Sequence, residues 1–216
     1  MHRLLLGDAV AMLPGLLDGV DAVVCDPPYG IGYRVNRRAP RSGIPGLSPE
    51  ATAARAPIVG DDTPFDPAPW LTASLAAFCG ANHFARCLPT GGRWIVWDKR
   101  GDMKPDSHSD CELVWLNCKG ADRIHRQKWR GVCREGEENC ARSKKLHTNQ
   151  KPVALMTRVL IELGVEPGMT VLDPYMGSGS TGVAAVRLGC SFIGVEIDPQ
   201  YYAVASTRLA REDIFA

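Results

Sequence analysis

A glycine-rich turn set between an apolar strand and a helix constrains this chain more than any other feature. Thr170–Leu172 has the length and character of a buried strand, and Asp173–Gly182 follows it as a turn. Within that turn Gly177-Ser178-Gly179-Ser180-Thr181-Gly182 fits G-x-G-x-x-G. A helix over Thr181–Leu188 stops at Gly189, and Ser191–Val195 reads as a second strand ending in Glu196, 19 positions after Gly177. Strand, tight turn, helix, strand and terminal acid together are the context of a Rossmann-type nucleotide fingerprint. Glycines let the backbone approach a ligand, the helix N-terminus favours a negative group, and an acid at the second strand end accepts hydrogen bonds from ribose hydroxyls. The alternative for the turn taken alone, less favoured, is a plain strand-to-helix connection with Glu196 as a surface acid.

The rest of the chain sets the class. Pro152–Leu163 reads as a helix closed by Gly164, and Pro199–Arg211 as a last helix. Leu4–Leu6, Asp21–Cys25 and Arg93–Trp97 read as strands, with shorter candidates at Glu112–Leu116 and near Trp129. Ala9–Leu17 is a helix candidate interrupted at Pro14-Gly15, and Asp66 opens a helix expected to run to about Cys87. Alternating strands and helices imply an α/β fold, a mostly parallel sheet with helices on both faces. Residues 31–65, rich in Arg, Pro and Gly, read as a long mobile loop. At 216 residues, the chain is expected to form one domain with at most a small insertion.

The ligand class narrows by exclusion. Val183 stands where a P-loop needs lysine, so a nucleoside triphosphate is disfavoured. Only 34 residues follow Gly182, too few for the second half of a dinucleotide fold in the usual order. A ligand with one adenosine and a short charged tail fits. No apolar run is long enough to cross a bilayer, and the N-terminal apolar stretch is broken at Asp8, so a cytoplasmic protein is expected. The net charge of +1 is uninformative, but its distribution is not. Five arginines between Arg34 and Arg55 face one acid, and nine Lys/Arg between Lys119 and Lys145 face four. Two such stretches suggest one basic face. Cys111-x6-Cys118 and Cys133-x6-Cys140 are wider than zinc-site spacing, His108 reads as a surface residue, and the zinc deaminase signature is absent. No metal is expected.

A second turn makes the reading specific. Asp26-Pro27-Pro28-Tyr29 ends the Asp21–Cys25 strand, and a double proline forces the chain to turn there. The tetrapeptide resembles the catalytic motif of DNA amino-methyltransferases. Asp173-Pro174-Tyr175-Met176-Gly177-Ser178-Gly179-Ser180-Thr181 resembles their S-adenosylmethionine-binding motif. His147-Thr148-Asn149-Gln150-Lys151-Pro152 is similar to the segment before that motif, with Thr148 and Asn149 departing from the family's Pro and Thr. Leu6-Gly7-Asp8 and Gly194-Val195-Glu196-Ile197-Asp198 resemble the family's remaining cofactor elements. With the catalytic motif first and the cofactor motif last, the order is that of the circularly permuted beta group.

The resemblance implies a Rossmann-like methyltransferase fold with an antiparallel edge strand. It implies S-adenosyl-L-methionine as cofactor, DNA as partner and a flipped base as target. An exocyclic amine is a weak nucleophile because its lone pair is delocalised into the ring. The Asp26 carboxylate and the Pro27 carbonyl would accept its two N–H bonds, favouring charge that develops in the transition state. Tyr29 would stack on the base, a contact worth about 1–3 kcal/mol. Asp8 would contact the adenine of the cofactor and Lys151 its methionyl carboxylate. Asp173, Tyr175, Gly177, Ser178, Gly179, Ser180, Thr181 and Glu196 would complete the cofactor site. Asp at the first motif position points to N6 of adenine; N4 of cytosine is the enzymatic alternative, and a catalytically idle DNA-binding module is the alternative of another class. The segment at about 119–145 is expected to choose the target sequence, and the arginine loop to bind phosphate.

Overall fold

A computed structural model describes residues 2–32, 59–104, 109–130, 133–135 and 150–212. In chain order the main elements are β1 (His2–Leu6), α1 (Leu13–Leu16), β2 (Ala22–Cys25), β3 (Leu75–Cys79), β4 (Arg93–Asp98), β5 (Cys111–Leu116) and β6 (Arg123–Arg126). The hairpin β7 (Trp129–Arg130) and β8 (Cys133–Arg134) follows. Then come α2 (Val153–Leu163), β9 (Thr170–Asp173), α3 (Ser180–Arg187), β10 (Ser191–Glu196) and α4 (Pro199–Glu212).

Eight strands form one sheet in the order β1-β10-β9-β2-β3-β5-β4-β6. From β1 to β3 every pairing is parallel. The first strand of the chain lies beside β10, with Leu6 level with Glu196, and Gly7 N–H donates to the Glu196 carbonyl at 2.8 Å. β2 pairs with β9. The turns after β1, β2, β9 and β10 therefore share one sheet edge, the edge where open parallel sheets bind ligands.

Both faces of the sheet are covered, which is why β2 reads Ala-Val-Val-Cys without alternation and all four residues are buried. Ala22 and Val24 face a core shared with Leu155, Val159, Val183 and Leu209 of α2, α3 and α4. Val23 and Cys25 face a second core with Leu16 of α1 and with Phe65, Trp70 and Phe84. α3 lies so close to the sheet that a Cβ at Gly182 would meet the Phe192 ring at 2.5 Å, so only glycine fits that position. α2 ends as expected at Gly164, whose left-handed φ of 89° lets its N–H reach back to Ile161 and Leu160.

Three local expectations are corrected. The helix expected from Asp66 to Cys87 is a 3-10 turn (Ala68–Thr72), strand β3 and two further 3-10 turns. A short apolar run carries no periodicity that separates a buried strand from a buried helix. Here Leu75–Cys79 is taken into the sheet between β2 and β5, and Asn117 fastens it, accepting from Ala76 N–H at 2.9 Å and donating to Ser74 O at 3.1 Å. The helix expected over Ala9–Leu17 is only the turn α1, and it is interrupted where the sequence indicates, with Pro14 and Gly15 both leaving helical geometry inside it. The antiparallel strand is β5, and it is internal rather than at the edge. It pairs with β3 on one side and β4 on the other, and its Val114, Trp115 and Leu116 are at most 2% exposed because both faces of the sheet are covered there. Of the long loop expected over 31–65, residues 33–58 lie outside the described residues, as do the arginines from Arg34 to Arg55, His108 and residues 136–149.

Candidate active site

The shared edge opens into a cleft of about 1030 Å³ that both the catalytic and the glycine-rich turns line. Asp26 leaves the sheet at the end of β2, and both its oxygens are engaged. Tyr29 Oη donates to Oδ1 at 2.6 Å and Lys151 Nζ donates to Oδ2 at 2.7 Å. The Lys151 ammonium is 3.3 Å from Tyr29 Oη and 3.1 Å from Glu112 Oε2, and Lys99 Nζ donates to Glu112 Oε1 at 2.8 Å. Tyr29, Asp26, Lys151, Glu112 and Lys99 thus form one chain across the cleft. β5 makes this possible: running antiparallel, it begins at the edge where its neighbours end, which sets Glu112 opposite Trp97.

The charges in this chain hold one another. Burial works against charge on Lys151, but Asp26 and Glu112 outweigh it and keep the ammonium well above the ordinary lysine value. Burial likewise opposes ionisation of Glu112, and Lys151 and Lys99 outweigh it, lowering the carboxyl to about 2. Tyr29 is pushed well up by burial and by Asp26, so it stays a neutral donor.

Two supports of this turn had no signal in the sequence. Asp61, 3% exposed, lies across the loop from Tyr29, and its Oδ1 accepts the N–H groups of Tyr29 and Gly30 at 3.0 and 2.9 Å, with Ile31 at 3.4 Å. Its own carbonyl accepts from Gly32 N–H at 2.8 Å. His83 stacks on Tyr29 with ring centroids 4.8 Å apart. The Tyr29 ring passes directly over Gly80, where a Cβ would lie 2.1 Å from it. Pro27 and Pro28 line the cleft beside Asp26.

The cofactor residues named from the sequence line the same cleft, apart from Gly179, which caps α3 behind it. Glu196 accepts Gly177 N–H and Asp198 N–H, both at 2.8 Å, so it fixes the turn while keeping lone pairs for a ligand. Asp173, 2% exposed, accepts Tyr175 N–H at 3.0 Å. Burial pushes its carboxyl up to about 7, offset in part by hydrogen bonds from Thr181 and Tyr175 and reinforced by the charges of Asp26 and Glu196. Arg208, which the sequence did not single out, reaches from α4 to Ser178 O at 2.6 Å and to the Ser178 and Ser180 hydroxyls at 3.2 and 3.3 Å. Asp8 is exposed on the cleft rim, its Oδ1 accepting Val10 N–H. The residues present fit a ligand with an adenosine and a cationic tail: buried carboxylates at two strand ends, a glycine turn, and apolar walls from Phe65, Trp70 and Tyr175.

Among the described residues no cluster of three or more His, Cys, Asp or Glu is arranged to hold a metal ion. Cys111 begins β5 and Cys118 follows it, seven positions on along largely extended chain at roughly 3.3 Å per residue. No helix among the described residues is long and apolar enough to cross a membrane.

Comparison with known proteins bears on the family and the fold. The family model described as DNA methylase matches residues 92–207. Type II methyltransferase M2.DpnII of Streptococcus pneumoniae is 32% identical over 144 residues, 67% of this chain and 50% of that protein. Type II methyltransferase M2.LlaDCHI of Lactococcus lactis subsp. cremoris is 32% identical over 140 residues, 65% of this chain and 48% of that protein. The chain therefore matches about half the length of these curated relatives. The M1.HpyAVI–SAM complex superposes with a TM-score of 0.57 at 23% identity, covering 97% of this chain and 100% of that one. The cytosine-N4-specific PvuII DNA methyltransferase superposes at 0.58 with 16% identity, covering 96% of this chain and 86% of that one. Matched over more than half its length by the family model, the chain belongs to the DNA methylase family.

Proposed function

We propose that this chain transfers a methyl group from S-adenosyl-L-methionine to the exocyclic N6 of adenine in DNA. The observation that carries the reading is the meeting in one cleft of the Asp26–Tyr29 turn and the Asp173–Thr181 turn. The first offers a carboxylate and the Pro27 carbonyl to an amine; the second offers buried carboxylates and a glycine turn to a cofactor. S-Adenosyl-L-methionine supplies an electrophilic methyl carbon on a sulfonium. Asp26 accepts one N–H of the target amine and the Pro27 carbonyl accepts the other, raising electron density on nitrogen as the new bond forms. Asp26 then assists loss of the amine proton. Tyr29 would offer a stacking face to a base withdrawn from the duplex only after His83, which stacks on its ring, moves aside. Asp173, Glu196, Asp8 and the Gly177–Thr181 turn hold the cofactor, with Tyr175 as its wall. Lys151 belongs with the catalytic turn rather than at the methionyl carboxylate, since its ammonium lies on Asp26.

Adenine is favoured by Asp at the first motif position. N4 of cytosine is the second reading, and the similarity to a cytosine-N4-specific methyltransferase speaks for it. The curated relatives' names as Type II methyltransferases support a restriction–modification setting. Labelled cofactor incubated with unmethylated, amplified genomic DNA, followed by mass spectrometry of the nucleosides, tests the reading. N6-methyladenine is expected, and N4-methylcytosine would replace the first reading by the second. Label retained in the cofactor would leave a DNA-binding module.

A further inference from the structure

The catalytic carboxylate proposed above is not free to receive a substrate amine, because a lysine ammonium lies 2.7 Å from Oδ2 and a tyrosine hydroxyl 2.6 Å from Oδ1. A carboxylate oxygen has a second lone pair, yet a cation at that distance draws off the electron density the amine must use. The same ammonium is 3.1 Å from Glu112 Oε2. That oxygen is buried and accepts no aligned hydrogen bond among the described residues. The ammonium therefore sits between two carboxylates, with its aligned hydrogen bond on Asp26 at 2.7 Å and an ion pair to Glu112 at 3.1 Å. Lys99 holds the far oxygen of Glu112 and so keeps that acceptor aimed at Lys151.

We infer that Glu112 is a positioning residue: it takes the Lys151 ammonium from Asp26 when the target amine enters, releasing Oδ2 to accept the amine N–H. The inference rests on the reading of Asp26 as the group that meets the amine. Displacement is small, since both contacts exist already, and the two Asp/Glu and two Lys charges balance before and after it. Glu112 remains anionic throughout, being held at about 2 by Lys151 and Lys99 against the effect of burial. The other ionisable groups near this cluster do not take its part. Tyr29 and Cys79 are pushed up by burial and are neutral donors, and Asp173 lies toward the glycine turn.

A double-variant cycle in single-turnover methyl transfer tests this, with labelled S-adenosylmethionine and saturating unmethylated, amplified genomic DNA. Glu112→Gln leaves the ammonium on Asp26 and should lower the rate roughly 10- to 100-fold, with cofactor affinity by calorimetry unchanged. In a Lys151→Met background the same change should cost less than about twofold, because no ammonium is left to position. Glu112→Asp keeps the charge and should recover most of the rate; it also decides the matter should the Gln variant fail to fold. A Gln variant as fast as the parent, penalties that multiply in the double variant, or an Asp variant as slow as Gln would overturn the inference. A parent enzyme with no transfer, or an Asp26→Ala variant that keeps it, would instead overturn the reading of Asp26.

Discussion

At the residue scale, the two carboxylates of this cleft with the largest shifts are set in opposite directions. Glu112 is lowered to about 2 by two lysines, so its contribution to stability is present above about pH 4.5 and is lost as pH falls toward 2. Asp173 is raised to about 7, chiefly by burial, from an ordinary value of 3.8. Its sign is the reverse: the free protein is favoured by Asp173 below about pH 4 and loses that support as pH rises through 7. A cationic ligand beside Asp173 favours its ionised form, so cofactor binding should release a proton. The dissociation constant of S-adenosylmethionine is expected to fall as pH rises toward about 7, by at most roughly tenfold per unit, and to level off above it. Calorimetry in buffers of different ionisation enthalpy measures both quantities, and Asp173→Asn should flatten the dependence; an equally steep slope in that variant would assign the proton elsewhere. Asp26, Tyr29, Asp173 and Glu196 were legible because each sits in a motif at a strand end. Asp61 and Glu112 were not. Asp61 acts on backbone N–H groups some 30 positions away, a separation that no local pattern encodes. Glu112 looked like an ordinary strand residue, since only the antiparallel course of β5 turns it into the cleft.

At the scale of elements, the strand–turn–helix–strand unit from Thr170 to Glu196 was readable nearly to the residue, because glycine, periodicity and terminal acid agree there. β3 was not, because its five apolar residues are compatible with helix or strand until β2 and β5 are in place. This strand has a mechanistic consequence through the residue that ends it. Gly80 adopts a left-handed φ of 63° and lies under the Tyr29 ring. Gly80→Ala would strain that backbone, costing about 1 kcal/mol or more, and would displace the ring from Asp26. Thermal melting should register the modest destabilisation and turnover a larger loss, with cofactor affinity unchanged. A variant that melts lower but turns over normally would show that the place of Tyr29 over Gly80 is structural only.

For the whole molecule, the permuted order has a simple physical outcome. The chain's first strand closes the sheet beside β10, near its end, so motifs from residues 6–8, 26–29, 151, 173–181 and 196 converge on one edge. The sheet's far edge is β6, whose exposed Arg123 and Arg126 open the basic stretch expected to choose the target sequence. Phosphate contacts add affinity without sequence choice. Arg37→Ala with Arg38→Ala should therefore weaken binding to every DNA and flatten its salt dependence while leaving the methylated motif unchanged. Methylome sequencing reads the motif, and a changed motif would move sequence choice into the arginine loop. In the proposed reaction one turn meets the amine and another holds the cofactor. The most direct measurement of that division is Asp26→Ala, assayed in parallel for methyl transfer to unmethylated DNA and for S-adenosylmethionine binding by calorimetry. Transfer should vanish while the dissociation constant stays within about threefold, below one factor of ten or 1.4 kcal/mol. Transfer that survives, or a loss explained wholly by cofactor affinity, would contradict it.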